Sequence, residues 1–371
     1  MKILFVNTHY FLPQSRGGMA NTLDQLCRGL ADRGHTPGVL CAFLGSRDMF
    51  GLATRARIKV AAMATGIGAA HDAALSYPVW RAWHPVDVLP ALAGREQPDI
   101  IVAMGGKVVQ VIDAARQTGI PLLTQVHDVE FDWHGGDFAH IADVPVVANS
   151  QFTADAYRTA FGVDAQVIYP FMPLDQYRTD THRRVVTFVN PLLRKGFRLG
   201  VEIAALCPEL PFHFVGAIPD VDETGRELDR GMLALPNLTV EPFRGDMRDV
   251  YAQTRVLLAP SQWNEAYGRV INEAQVSGIP VLASTRGGIP EAAQDGGILL
   301  PADAPAERWA TALRRMWNDE TLYADLCAKA VHSASRPQLQ AETQLDQHEC
   351  ALEAAINDHR AAHLSGCQLP A

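Results

Sequence analysis

KILFVNTHYF (2–11), GGMANTLDQLCRGLADRGH (17–35) and TPGVLCAF (36–43) follow closely on one another, and their order decides the fold. The first is a short β-branched apolar run of the kind that forms a buried strand. The second sets Leu23, Leu26, Leu30 and Ala31 on one helical face, and the third returns to the strand pattern. Strand, helix and strand within about 40 residues make a right-handed βαβ unit with parallel strands.

Outward from it the alternation continues. DIIVAMG (99–105), a helix around VVQVIDAARQTG (108–119), PLLTQVHD (121–128), VPVVANS (144–150) and the helix SQFTADAYRTAFG (150–162) follow in turn. AQVIYPFMPLDQY (165–177) breaks the rhythm with two prolines. The pattern then restarts with the strand RVVTFVNP (184–191), the helix FRLGVEIAALCP (197–208) and the strands FHFVGA (212–217) and LTVEPF (238–243). A short helix at 247–254, the strand RVLLAPS (255–261), a helix from Arg269, the strand PVLAS (280–284) and a helix at 305–319 complete the second half. Both halves read as parallel sheets covered by helices on two faces. The expected fold is α/β, two doubly wound Rossmann-like domains whose strand ends face a central crevice, where ligands bind. The domains are residues 1–168 and 169–343, and the helical tail 344–371 crosses back to the first.

Bulk properties agree. A chain of 371 residues exceeds one ordinary core. Its 48% hydrophobic and 20% charged content is globular. The balance of 32 basic against 41 acidic residues, a net −9, argues against nucleic acid as a partner. Cys27, Cys41, Cys207, Cys327, Cys350 and Cys367 include no Cys-x-x-Cys pair and read as reduced thiols of a cytoplasmic protein. No metal-ligand spacing occurs. No apolar run approaches the ~20 residues of a membrane span. The N-terminus reads as a first strand and not as a signal peptide.

The chemistry gathers where strands end. In EAYGRVINEA (265–274), Gly268 loosens the chain before a helix that begins near Arg269. Glu265 then stands in front of the helix and Glu273 one to two turns inside it, roughly 10–12 Å away at the helical rise. Between them lies a helix N-terminus, which attracts anions. Hydroxyls, phosphates, hydroxyls is the layout of a nucleotide-diphosphate sugar, although two glutamates on a solvated helix face are the plain alternative. NPLLRKGF (190–197) sets Arg194 and Lys195 after the first strand of the second half, two cations suited to a diphosphate. Gly17-Gly18 open the first helix, and STRGGIPEAAQDGG (284–297) makes another backbone-exposing turn. His127 and Asp128 follow a strand in the first half. A dinucleotide site would want G-x-G-x-x-G and an acidic end to the second strand, and neither is present.

These motifs resemble the family 4 retaining glycosyltransferases of GT-B fold. EAYGRVINEA, GIPVLAS, GGIPE, the Gly-Gly loop and the Lys-Gly after the linker carry the likeness, which is strongest over 255–301. The resemblance implies that Glu265 contacts the transferred sugar while backbone N–H groups of Ala266, Tyr267, Gly268 and Arg269 hold hydroxyls and phosphates. It gives Glu273 the ribose, Lys195 the diphosphate leaving group, Gly17 and Gly18 the closing loop, and His127 the donor sugar or acceptor. It implies retention of anomeric configuration, no divalent metal and no cofactor, the nucleotide sugar being a substrate. Where the family often has arginine this chain has Asn190, so either Asn190 or Arg194 contacts the diphosphate.

The function expected is transfer of a sugar from a nucleotide-diphosphate donor to a hydroxyl of a glycan, a lipid-linked or a small-molecule acceptor. A sugar-nucleotide epimerase of the same fold and a non-catalytic sugar-nucleotide-binding protein are the alternatives. No paired carboxylates sit as a glycosidase requires. With Glu273 at the ribose, as the resemblance implies, Glu273→Ala is expected to weaken donor binding by ~1–3 kcal/mol with little loss of fold. Donor base, sugar, acceptor and oligomeric state leave no mark in the sequence. Arg55, Arg57 and Lys59 beside apolar residues suit either a solvated helix edge or an anionic membrane surface.

Overall fold

The computed structural model describes residues 1–15, 17–72, 75–222, 224–243 and 245–366. Cys367 lies outside the described residues. The chain divides into two compact units, Met1–Met172 with Ala341–Ala371, and Pro173–Gln340. The divisions fall after Met172 and Gln340, against the 168 and 343 expected from the sequence.

The first unit begins with strand β1 (Lys2–Tyr10), helix α1 (Gly18–Asp32) and strand β2 (Thr36–Ala42). β1 and β2 pair in parallel from Lys2↔Thr36 onward. Leu23, Leu26, Cys27 and Leu30 are the buried stripe of α1, with Cys27 inside where Ala31 was expected. Next come α2 (Met49–Thr65), β3 (Ala69–Asp72), β4 (Val79–Ala82), α3 (Pro85–Glu96) and β5 (Ile100–Met104). Helix α4 (Val108–Arg116), β6 (Leu122–Val126), β7 (Val146–Ala148), α5 (Gln151–Phe161) and β8 (Ala165–Val167) close the run. The sheet order is β3-β4-β2-β1-β5-β6-β7-β8. It is parallel except that β3 runs antiparallel to β4 at one edge, a hairpin in the region where the sequence shows no readable pattern.

Alternation along β1 shows why both faces are covered. Leu4 and Val6 join a core with residues of α3, α4 and α5, while Ile3 and Phe5 join one with α1. A strand buried on both sides reads as a continuous apolar run, which is what residues 3–6 are.

The second unit contains β9 (Val185–Val189), α6 (Phe197–Leu206), β10 (Phe212–Val215), β11 (Leu238–Glu241) and α7 (Met247–Gln253). β12 (Thr254–Ala259), α8 (Arg269–Gln275), β13 (Val281–Ser284), α9 (Ile289–Ala293), β14 (Gly297–Leu300), α10 (Ala306–Asn318) and α11 (Glu320–Ala334) follow. All its strands are parallel, in the order β11-β10-β9-β12-β13-β14. The last helix, α12 (Ala341–Gly366), belongs to the first unit, where Leu345, Leu352 and Ile356 enter the core beside Phe5 and Leu26. Among the described residues no helix is long and apolar enough to cross a membrane.

Candidate functional site

In the second unit β9 is first in the chain, and the order reverses between β9 and β12, which lie side by side. A doubly wound sheet opens a crevice at the carboxyl ends of such a pair, because the crossovers on either side diverge. The loops after β9 and β12 carry the residues singled out by sequence. After β9, Asn190 is exposed with φ 55°, a left-handed conformation that asparagine tolerates. A short 3-10 turn, Leu193–Lys195, then leads to Gly196. Gly196 has φ 85°, and a Cβ there would stand 2.1 Å from the Pro260 carbonyl oxygen. Only glycine lets the two loops approach this closely.

The loops are then stitched together. The Arg194 carbonyl accepts from the backbone N–H groups of Gln262 and Trp263, both at 3.0 Å. The Arg194 guanidinium lies over the Trp263 ring, 4.2 Å from its centroid. Lys195 Nζ reaches Glu265 Oε1 at 3.1 Å, with both side chains largely but not wholly enclosed. The turn after β13 supports Glu265 from behind. Gly288 N–H donates to the Glu265 carbonyl at 2.7 Å. Gly287 has φ 59°, and its Cβ would meet that carbonyl oxygen at 2.2 Å. The Gly287-Gly288 turn, read from the sequence as one that exposes backbone, therefore presents that backbone to the Glu265 backbone and packs against it.

Beyond Gly268, which enters α8 at φ 99°, the helix is short, seven residues from Arg269. Tyr267 turns inward, its hydroxyl donating to Asn272 Oδ1 at 2.6 Å. Ala266 is buried beside it. Glu273 is 6% exposed. Its Oε2 accepts from the Tyr251 hydroxyl at 2.9 Å and its Oε1 from Arg269 Nε at 3.3 Å. Arg269 also donates to the Tyr177 hydroxyl at 3.1 Å. Burial first, and then the Glu273 carboxylate, push the Tyr251 phenol well above its ordinary value, so it stays a donor. The sequence signal found Glu273 but not its partners Tyr251 and Tyr177, which come from elements distant in the chain.

In the first unit the order reverses between β1 and β5. Gly17 is the N-cap of α1, exposed, and a Cβ there would meet nothing within 4 Å. Gly18 is the first residue of that helix. His127 follows β6, half-buried, with its carbonyl accepting from Asn149 Nδ2 at 3.4 Å. Asp128 approaches His134 at 3.8 Å. A residue that sequence reasoning passed over stands at the reversal itself: His9 Nε2 accepts from the Gly106 N–H at 2.9 Å, which puts the ring proton of the neutral form on Nδ1. Burial lowers the His9 pKa, with the Asp128 charge opposing the shift. Asn7, wholly buried, accepts at its Oδ1 from the His9 N–H at 2.9 Å, while its Nδ2 has no hydrogen-bond partner among the described residues. Among the described residues no group of three or more His, Cys, Asp or Glu could hold a metal ion.

Comparison with known proteins matches each unit separately. A model of Glycosyltransferase Family 4 matches residues 16–176, and one of Glycosyl transferases group 1 matches residues 183–319. The D-inositol 3-phosphate glycosyltransferase of Streptomyces bingchenggensis is 42% identical over 93 residues, 24% of this chain and 20% of that protein. The enzyme of the same name from Rhodococcus erythropolis is 31% identical over 222 residues, 51% of this chain and 49% of that protein. The chain thus matches from a fifth to about half the length of these curated relatives. The crystal structure of Anabaena Alr3699/HepE in complex with UDP-glucose is similar with a TM-score of 0.71 at 21% identity, covering 95% of this chain and 100% of that one. At that identity the likeness speaks for the fold alone.

Proposed function

Because the chain belongs to the family 4 glycosyltransferases of GT-B fold, we propose that it transfers a sugar from a nucleoside-diphosphate sugar to a hydroxyl acceptor, with retention and without a metal ion or other cofactor. The observation that carries this is the Lys195–Glu265 pair, a cation and a carboxylate 3.1 Å apart at the strand reversal of the second unit. A hydroxylated, doubly charged ligand needs both groups in one place.

In this reading Lys195 leaves Glu265 and turns to the diphosphate, whose charge grows as its bond to the sugar C1 breaks. The acceptor oxygen forms the new bond to C1, and the nucleoside diphosphate departs with the bonding pair. The acceptor's proton follows to the departing phosphate oxygen. Stabilising charge that develops only in the transition state is what accelerates such a step. Glu265 binds sugar hydroxyls, and the backbone of Ala266, Tyr267, Gly268 and Arg269 binds hydroxyls and phosphates. Glu273, held by Tyr251 and Arg269, offers its carboxylate to the ribose. Asn190, with an exposed side chain, takes the diphosphate contact, because the Arg194 guanidinium is stacked on Trp263. Gly17, Gly18 and His127 are the ligand-contacting residues of the first unit. Unpaired Cys27, Cys41, Cys207 and Cys327, all buried, support a cytoplasmic setting.

A thermal-shift panel of nucleoside diphosphates and their sugars, beginning with UDP-glucose, tests the donor class. Saturation at 100 times Kd stabilises by about 2.7 kcal/mol, so the right base should raise the melting point clearly. Transfer is then followed with hydroxyl acceptors including D-inositol 3-phosphate, with product anomer read by NMR and chelator present. No response to any nucleoside diphosphate would overturn the reading. Inversion, or loss of activity to chelator restored by a divalent ion, would overturn its retaining or metal-free part.

A further inference from the structure

We propose that the outer face of α2 is a membrane-docking surface that takes an anionic lipid bilayer. The helix buries one side and exposes an apolar one opposite to it. Gly51, Thr54 and Ile58 are buried toward the sheet. At about 100° per residue, Met49, Leu52, Val60 and Met63 fall on the opposite side, and they are 89%, 57%, 61% and 75% exposed. Ala53, Ala56 and Ala64 fall between them and are exposed too, so no polar residue interrupts this stripe. A helix that presents methionine, leucine and valine to water is missing a surface it was built to meet.

The charge pattern says which surface. Arg55 and Lys59 flank the stripe on one side and Arg57 on the other, and the helix carries no acidic side chain. None of the three is in an ion pair among the described residues, although Arg55 donates to the carbonyl oxygens of Gly45 and Ser46. The N-cap Asp48 is occupied by the Gly51 N–H and the Ser46 hydroxyl. This concentration of positive charge stands on a chain of net −9. Trp83, 48% exposed, lies beside the helix with the Arg55 guanidinium 5.8 Å from its ring centroid. An apolar stripe bordered by basic residues, with a tryptophan at its edge, matches the acyl–headgroup boundary of an anionic membrane. A second copy of this chain fits less well, since a two-fold contact through this face would set its cations against their own images.

The surface is independent of the proposed transfer reaction, and its test reads no activity. The whole protein is sedimented with vesicles of phosphatidylcholine, with and without phosphatidylglycerol. The wild type should partition to the anionic vesicles and less so as salt rises. Leu52→Glu/Met63→Glu should abolish partition with an unchanged melting point, because both side chains are exposed. Arg57→Gln/Lys59→Gln should lower it about fivefold for each charge removed. Failure of the wild type to bind anionic vesicles, or equal binding by Leu52→Glu/Met63→Glu, overturns the proposal. So does a lipid-free dimer that the same pair of substitutions dissolves.

Discussion

Two carboxylates of one short segment have different partners, and their substitutions should behave differently. Glu265 shares its charge with Lys195, which is partly open to solvent. Lys195→Ala should lower kcat on the order of 10²-fold and change the donor KM less, because its charge matters most as the diphosphate leaves. Initial-rate kinetics decide this, and a raised KM at unchanged kcat would make Lys195 a binding residue only. Glu273 is buried against Tyr251 and Arg269. The ribose role implied by the resemblance suggested a side chain removable with little loss of fold, but Glu273→Ala strands a phenol and a guanidinium, at a cost of about 1–3 kcal/mol. Tyr251→Phe removes that hydrogen bond and leaves the carboxylate in place. Denaturation should find both variants less stable, while titration calorimetry should find nucleoside-diphosphate affinity reduced in Glu273→Ala alone. Equal affinity in the two would confine Glu273 to a structural role.

Between residues and the whole lie the turns that aim Glu265, and here two glycines that look alike in sequence part company. Gly287 sits at positive φ with the Glu265 carbonyl where its Cβ would be, whereas Gly17 has ordinary extended backbone and open space. Gly287→Ala should therefore displace the Glu265 loop and cost at least about 1 kcal/mol from the left-handed backbone alone. Gly17→Ala should leave the melting point unchanged, so any loss of activity would report contact with ligand. Equal melting points for the two variants would refute the packing role of Gly287. The same distinction explains what the sequence could show. β1, α1, β2, β9 and α6 carry their own periodicity and were legible. Helix α3 starts on a proline and holds Pro90 inside it, which hides its pattern. Helix α11 and the four-residue β14 were also missed, since neither repeats a clean period. Strand β4 puts the fully buried Arg81 where an apolar residue is expected. That charge is satisfied by Asp72 of β3 at 2.9 Å and by the Leu12 carbonyl, partners that only tertiary pairing supplies. The candidate residues of the second unit were legible because glycine and charge mark strand ends. His9 and Tyr251 were not, because nothing local distinguishes them.

At the scale of the whole chain, the first unit is made from both ends of the sequence, so its stability depends on how α12 is fastened. Arg33 of α1's end binds Asp346 at 2.6 Å and Glu349 at 2.8 Å, and also pairs with Glu342. These are surface contacts, worth little individually. The inner fastening is stronger because it is buried. Gln344 donates to the Pro170 carbonyl at 3.1 Å, and His348 Nδ1 donates to the Gln344 carbonyl at 2.8 Å. His348 Nε2 faces the Gln125 amide at 3.4 Å, so the ring sits neutral between two partners. Burial holds the His348 pKa down at about 4, with the Gln344 carbonyl opposing the shift. Unfolded histidine titrates near 6.5. Between these values the unfolded chain binds a proton that the native chain refuses, so native stability must fall as the pH drops from about 6.5 toward about 4. The loss should be on the order of 3 kcal/mol by the lower limit and should belong to the unfolding transition of the first unit. His348→Gln keeps a neutral polar side chain and removes the titration. Chemical denaturation across that range should show wild type losing stability more steeply than His348→Gln, with the two differing by about one proton taken up on unfolding. Parallel slopes would mean that His348 is protonated in the native unit, and the fastening of α12 would then have to rest on Gln344 and the surface pairs.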